Sequence, residues 1–388
     1  TPAMKALLLF LLFLSPGWVE RRGSDLVCDE KPVRLRGMCL GNWWVPEGYM
    51  FGFSKATSPT QIERGVLELL GPEESRQFWQ QYRHNYVRRE DLELLARSGF
   101  NTVRVPLHWK FLRDPAELQR LDWLIQQFKS LNMWVLPDLH AAPGGQTGDN
   151  IDDGASYPWL FESKESRQLA AQLWKEVAER YRDEPTVIGY ELLNEPVPNW
   201  PGYNVLHPKL DEVYREMGRS IREVDQRHLM FLDGAEWATN FQQVTTDWDE
   251  RLVLAFHRYW ADPQAIGPYL ELRNSRGVPL LMSESGENDQ KWLRDFRTRL
   301  ESEEVGWYFW PYKKMNTDSC VALIKTPPNW EKVSAWIDGL GLEGEARRKL
   351  RPTREEARAA FAQLLENVKS ENCSVQSGFL EALLGTPR

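Results

Sequence analysis

Apolar residues fall into short runs separated by segments of helical period, and the alternation repeats through eight units. The runs lie at residues 33–41, 101–107, 134–140, 187–196, 229–233, 252–259, 279–285 and 306–312. Their near-continuous apolar character suits strands buried on both faces, as in a parallel sheet. Between them, residues 89–98, 121–131, 166–182, 209–224 and 290–301 read as amphipathic helices. In 166–182, for example, Leu169, Leu173, Trp174, Val177 and Tyr181 form one stripe with charges between them. Eight strand–helix units predict an α/β fold, a (β/α)8 TIM barrel in a single domain. A doubly wound open sheet is the rival. It would carry a Gly-rich phosphate loop after an early strand, and Gly144-Gly145 after the third run does not fit that fingerprint.

The polar residues that interrupt this pattern gather at the ends of the strands. The run at 187–196 (VIGYELLNEP) ends in Asn194-Glu195-Pro196. Desolvating a carboxylate is costly, so a Glu there is paired or put to use, and Pro196 cannot extend a sheet ladder. Residues 278–287 (VPLLMSESGE) run in the same way into Glu284. Two buried strands that each end in a Glu point to two carboxylates facing a common cleft. Arg104, His108, His140, His257, Tyr259 and Trp310 also fall at strand ends. In a barrel those ends share one face, where active sites sit. Each residue alone has a structural reading, a solvated side chain or a hydrogen-bonded core His; the set points to a site.

A long loop at 141–161 follows the third strand. Asp149, Asp152 and Asp153 hint at calcium, but the EF-hand spacing is absent. A substrate-cleft loop with Trp159 as a sugar platform is the expectation. The chain closes with a helix at 354–368 and a polar, loosely ordered tail at 369–388.

Composition narrows the partners. The net charge of −8 leaves no basic stripe for a nucleic-acid backbone. Eighteen Trp exceed what packing requires, and aromatic faces stack on sugars. Met4-Lys5 and the apolar stretch 6–14, broken by Ser15-Pro16-Gly17, read as a secretory signal, with an N-terminal membrane anchor as the alternative. The division is therefore a signal peptide at 1–20, a catalytic domain at 21–368 and a tail at 369–388. The mature protein is expected to be a secreted or periplasmic monomer, free of the membrane once the signal is removed. Cys28, Cys39, Cys320 and Cys373 lack metal-ligand spacing. In an exported protein they could pair in three ways, although Cys39, inside a strand, reads as a buried thiol.

Six motifs carry a family resemblance: VRVPLHW at 103–109, DLHAAPGGQ at 138–146, LNEP at 193–196, FHRYW at 256–260, SESGE at 283–287 and GWYFWPYKK at 306–314. In this order they resemble the cellulase-like family 5 glycoside hydrolases. RLRGMCLGNWWVPEGYM at 34–50 resembles that family's first strand, with a flavour of its exo-1,3-glucanase members. The resemblance implies a (β/α)8 barrel with Glu195 as acid/base on strand four and Glu284 as nucleophile on strand seven. It further implies that Arg104 keeps Glu284 ionised and Asn194 bonds the sugar 2-hydroxyl. His257 and Tyr259 would flank the carboxylates, His140 would line the glycone subsite, and Trp310 would be its floor. Ser283 and Ser285 depart from the family's usual Gly and aromatic, and Glu287 is the reserve nucleophile.

Such a pair cleaves glycosidic bonds, with retention when the carboxyls lie roughly 5–5.5 Å apart. The expected substrate is a β-linked glucan oligo- or polysaccharide, with no cofactor and no metal. Endo-β-1,4-glucanase action comes first, exo-β-1,3-glucanase or β-glucosidase second, β-mannanase third. Trp43, Trp44, Trp109, Trp159, Trp260 and Trp310 offer stacking surfaces, two or three of them belonging to the core. A carbohydrate-binding barrel that has lost catalysis is the non-enzyme alternative; it should tolerate loss of one carboxylate, and both are present. A metal-dependent barrel hydrolase would need three convergent ligands, and an H-x-H on the first strand is missing.

Overall fold

Eight parallel strands close into a barrel in the computed structural model, which describes residues 16–154 and 156–385. In chain order they are β1 (Arg36–Cys39), β2 (Thr102–His108), β3 (Trp134–Ala141), β4 (Gly189–Glu191), β5 (Leu229–Asp233), β6 (Leu252–His257), β7 (Leu280–Glu284) and β8 (Gly306–Phe309). Each strand pairs with the next, and β8 pairs back with β1. This is the (β/α)8 architecture the hydrophobic pattern predicts.

Beyond their first residues the strands are buried on both faces, which is why the runs are continuous rather than alternating. In β8, Tyr308 points into the barrel and its hydroxyl lies 2.8 Å from Thr102 Oγ1, while Trp307 and Phe309 pack among the helices. Gly37 on β1 allows that inward ring its place, since a Cβ there would lie 2.2 Å from it.

Helices begin at their caps, ahead of the apolar stripes. Asp114 accepts from the Ala116 N–H and starts Pro115–Ser130, and Ser163 accepts from the Ser166 N–H and starts Lys164–Tyr181. The first crossover holds three helices, Pro59–Leu70, Pro72–Tyr86 and Arg89–Ser98. The β5–β6 crossover, by contrast, has no regular helix among the described residues. Its backbone turns left-handed at Glu236 (φ 56°), Trp237 (φ 63°) and Ala238 (φ 61°). Trp248 fills the space instead, against Gly218 of helix His207–Arg222, where a Cβ would lie 2.4 Å from its ring.

Both chain ends pack onto the barrel. Residues 1–15, most of the segment expected to be a signal peptide, lie outside the described residues. From Pro16 the chain runs beneath the barrel as an antiparallel meander, Val19–Arg22, Asp25–Cys28 and Lys31–Pro32. Val19 and Leu26 join the barrel-interior core, and Trp134 Nε1 donates to Gly17 O at 2.9 Å. The C-terminal tail, expected to be loose, is docked. Ser374–Val375 adds an edge to a small sheet, and helix Ser377–Leu384 buries Phe379, Ala382 and Leu383 against helix Gln290–Ser302. The polar average of the tail hides this apolar stripe. All four cysteines are free thiols, Cys39 within the barrel as its strand position predicts.

Candidate active site

The ends of β4 and β7 face each other across a cleft of about 700 Å³. Ladder pairing in β4 stops at Glu191, earlier than the apolar run suggests. The chain then swings so that Glu195, at φ 46°, donates its backbone N–H to Asp233 Oδ2 at 2.9 Å. A left-handed backbone at a non-glycine residue is strained and persists where its surroundings hold it. Glu284 ends β7 just after a register shift against β6, a bulge of the kind that re-aims a side chain. One carboxylate oxygen from each Glu and a ring nitrogen of His257 all lie within 4.8 Å of one another.

Different partners hold the two carboxylates. Glu284 accepts from Arg104 Nη1 at 2.6 Å and from the Tyr259 hydroxyl at 2.7 Å. Burial pushes its pKa up, but His257, Arg104, His140 and Tyr259 overcome that and hold it below the ordinary carboxylate value. Glu195 Oε1 lies 2.9 Å from His257 Nδ1, whose other nitrogen is 3.0 Å from Ser283 Oγ. Burial alone would lower the His257 pKa; the acids around it, Asp233 and Glu284 foremost, raise it well above an ordinary His. Ser283 thus has a function in this chain, as the acceptor that orients His257. Ser285 is tied off by donating to Arg258 O at 2.6 Å.

Beneath the pair lies a charged network that the sequence reading misses. Fully buried Arg104 donates to Glu191 (2.6 Å) and Asn194 Oδ1 (2.8 Å) and pairs with Asp138 (3.0 Å). Asp233 lies 3.5 Å from His257 Nε2. The available signal was Arg104 itself: a guanidinium inside a barrel requires anions beside it, and Asp138, Glu191 and Asp233 are acids within apolar strands. Asn194 Nδ2 is buried without a protein partner.

His140 bonds Asp138 through Nδ1 at 2.8 Å and stacks on Trp310 at 5.8 Å, nearly parallel. Burial lowers its pKa, but Asp138 and Glu47 more than compensate and lift it to about 10. Trp310, followed by a cis peptide to Pro311, donates to the Tyr49 hydroxyl at 2.7 Å. Glu47 and Tyr49, from the opening segment, line the cleft and were also missed; Glu47 Oε1 faces His140 Nε2 at 3.8 Å.

Two expected sugar contacts lie elsewhere. Trp44 is 1% exposed, stacks on Trp43 at 3.8 Å and donates to Glu117 at 2.8 Å, so it belongs to the core. Trp159 is half exposed but rests on Tyr157 and is not among the residues lining the cleft. Trp260, 72% exposed and beside Tyr259, lines it instead. Glu287 sits at the rim, bound through both oxygens to Lys314 at 2.7 and 2.8 Å. Glu195, His257 and Glu284, and beneath them Glu191, Asp233 and His257, are the trios close enough to share an ion among the described residues. Asp149 and Asp152 bond backbone donors of their own loop, and Asp153 bonds Thr60 of the connection after β1.

Comparison with known proteins gives the family. The chain is 29% identical over 348 residues to a beta-xylosidase of Phanerodontia chrysosporium, covering 77% of this chain and 71% of that protein. It is 28% identical over 240 residues to a probable glucan 1,3-beta-glucosidase A of Aspergillus clavatus, of which it spans only 55%. The fold matches the crystal structure of an endogalactoceramidase with a TM-score of 0.61, at 16% identity over 95% of this chain and 84% of that one. The family model described as Cellulase (glycosyl hydrolase family 5) matches residues 68–322, about two thirds of the sequence. The chain therefore belongs to glycosyl hydrolase family 5 and is a β-glycosidase.

Proposed function

We propose that the protein is a retaining hydrolase of β-linked glucan chains that works by double displacement, with Glu284 as nucleophile and Glu195 as acid/base. The observation that carries this reading is the approach of the two carboxylates, oxygens within 4.8 Å, under separate sets of donors. Retaining enzymes hold the pair roughly 5–5.5 Å apart, and the approach of one oxygen to the other supports that class. Ionised Glu284 attacks the anomeric carbon while Glu195 gives its proton to the departing oxygen. The glycosyl ester that forms has no charge on Glu284. Glu195, now a carboxylate beside the His257 imidazolium, takes a proton from the water that opens the ester. Arg104 and Tyr259 hold Glu284 before attack and receive it again as it leaves. The free Nδ2 of Asn194 supplies a donor, and the Glu47 carboxylate, beside His140 at 3.8 Å, an acceptor for sugar hydroxyls. Trp310 and His140, both buried, back Tyr49 and Glu47 at the cleft wall. None of these steps needs a cofactor.

The apolar stretch before residue 15 supports export, so the substrate would be met outside the cell. No helix among the described residues is long and apolar enough to cross a membrane.

Proton NMR of the first anomer released from an aryl β-glucoside tests the mechanism, and retention is expected. Glu195→Gln should lower kcat by the roughly 10²–10⁴-fold that general acid–base help contributes. Glu284→Gln should abolish turnover. Release of the inverted anomer would overturn the double displacement.

A further inference from the structure

Strands β4 and β7, which carry the two glutamates, divide the barrel rim into two arcs. The β5–β6 arc presents Trp237, Thr239, Arg258 and Trp260 along the cleft, with Trp260 standing out into solvent. The other arc runs from β8 through β1 and β2 to β3 and carries Trp310, Glu47, Tyr49, Arg104 and His140. The proposed reading sets the leaving chain over the first arc, where exposed Trp260 offers a stacking face, and the sugar bound to Glu284 over the second.

One side chain ties the connections of the second arc together. Asp153, in the loop after β3, accepts the Thr60 backbone N–H at 2.8 Å through Oδ1. Its Oδ2 accepts the Thr60 hydroxyl at 2.7 Å and Lys110 Nζ at 2.9 Å, and lies 3.2 Å from His108 Nε2. Thr60 belongs to the connection after β1, and Lys110 follows β2. A single carboxylate, 6% exposed, thus joins three successive connections. His108 takes part through a fixed tautomer: Nδ1 accepts the Lys110 N–H at 3.2 Å, so Nε2 carries the hydrogen that faces Asp153.

The loop so fastened is itself stiff. Asp152 accepts from the Thr147 and Gly154 N–H groups at 2.5 and 2.7 Å. Gln146 donates to the carbonyls of His140 and Asn194, tying the loop's base to the strand ends that carry the site. Asp149 and Ile151 of the same loop line the cleft, as do Glu47 and Tyr49 of the β1 connection.

We infer that Asp153 is a positioning residue that walls off the glycone end of the cleft, so that the enzyme releases single sugars from chain ends instead of cutting within chains. This deepens the retaining-glycosidase reading and rests on it. It also displaces the endo action that the sequence motifs alone put first.

The test uses β-glucan oligosaccharides labelled at the reducing end, the same chains capped by a bulky ether on the non-reducing terminal sugar, and an aryl β-glucoside. The whole chain is assayed as wild type, Asp153→Ala and Thr60→Ala. Wild type should release a monosaccharide first, leave label on a chain one sugar shorter, and turn over the capped chain at least about tenfold more slowly than the free one. In Asp153→Ala, di- and trisaccharides should appear and the capped chain should gain about tenfold in kcat/KM relative to the free one. Aryl glucoside turnover should hardly change. Thr60→Ala removes one strap contact, should shift products in the same direction, and carries the test if Asp153→Ala does not fold. Internal cleavage by wild type would overturn the inference. So would a folded Asp153→Ala, or Thr60→Ala in its place, that still releases only monosaccharides and refuses the capped chain. If wild type leaves the aryl glucoside intact, the glycosidase reading itself has failed.

Discussion

Glu195 and Glu284 are the same residue type, and only their neighbours give them different work. His257 and Arg104, with His140 and Tyr259, hold the Glu284 pKa down, so the acid limb of kcat/KM should fall below pH 4.5, the ordinary value of a Glu. His140 gives the opposite sign. Its pKa in the fold, about 10, stands above the ordinary 6.5. The stability it contributes is complete below 6.5 and is lost as the pH climbs to about 10. Melting temperature should decline across that window, and His140→Gln should flatten the decline. Tryptophans separate in the same way by surroundings. Trp44→Ala should cost about 3–5 kcal/mol of stability and leave KM unchanged, because the ring is core. Trp260→Ala should leave melting unchanged and raise KM for long substrates. Residue identity made Glu195, Glu284, Arg104 and His140 legible, since charges inside apolar runs need a reason. It misplaced Trp44, because an indole suits a core and a sugar equally well. Asp138, Glu191 and Asp233 escaped notice because their partners come from other strands.

Elements show why the pattern located the site but not its aim. All eight strands sit where the apolar runs lie, yet β4 ends its ladder at Glu191 and β7 shifts register just before Glu284. Both irregularities steer a carboxylate, and neither leaves a mark in hydrophobicity. Averaging also conceals the C-terminal helix Ser377–Leu384, whose Phe379, Ala382 and Leu383 are fully covered. Phe379→Ala should cost about 3 kcal/mol. Removing residues 377–388 should bare a stripe on helix Gln290–Ser302, which apolar-dye binding and a lowered melting temperature would report.

At the scale of the molecule, the barrel sets two unlike arcs around one reacting bond. The β8–β3 arc is built from interlocked connections, three of them gathered on Asp153, while the β5–β6 arc lacks even the helix a regular unit would supply. That asymmetry is not visible to a reading that treats each strand–helix unit alike. Loop length at 141–161 was evident, but not where the loop is fastened, because Thr60 and Lys110 are distant in sequence.

The left-handed run at 236–238 carries a further consequence. For L-residues that conformation costs roughly 1–2 kcal/mol apiece, and here three follow one another at the mouth of the more open arc. Bonds from Glu236 to Val197 and Asn240, and from Trp237 to Asn199, keep the corner wound. Asn199 and Val197 lie just beyond Glu195, so the corner and the proposed proton donor share a seam. Any slackening of the donor's segment as the departing chain leaves would let this spring uncoil, coupling product exit to motion at the threshold it crosses.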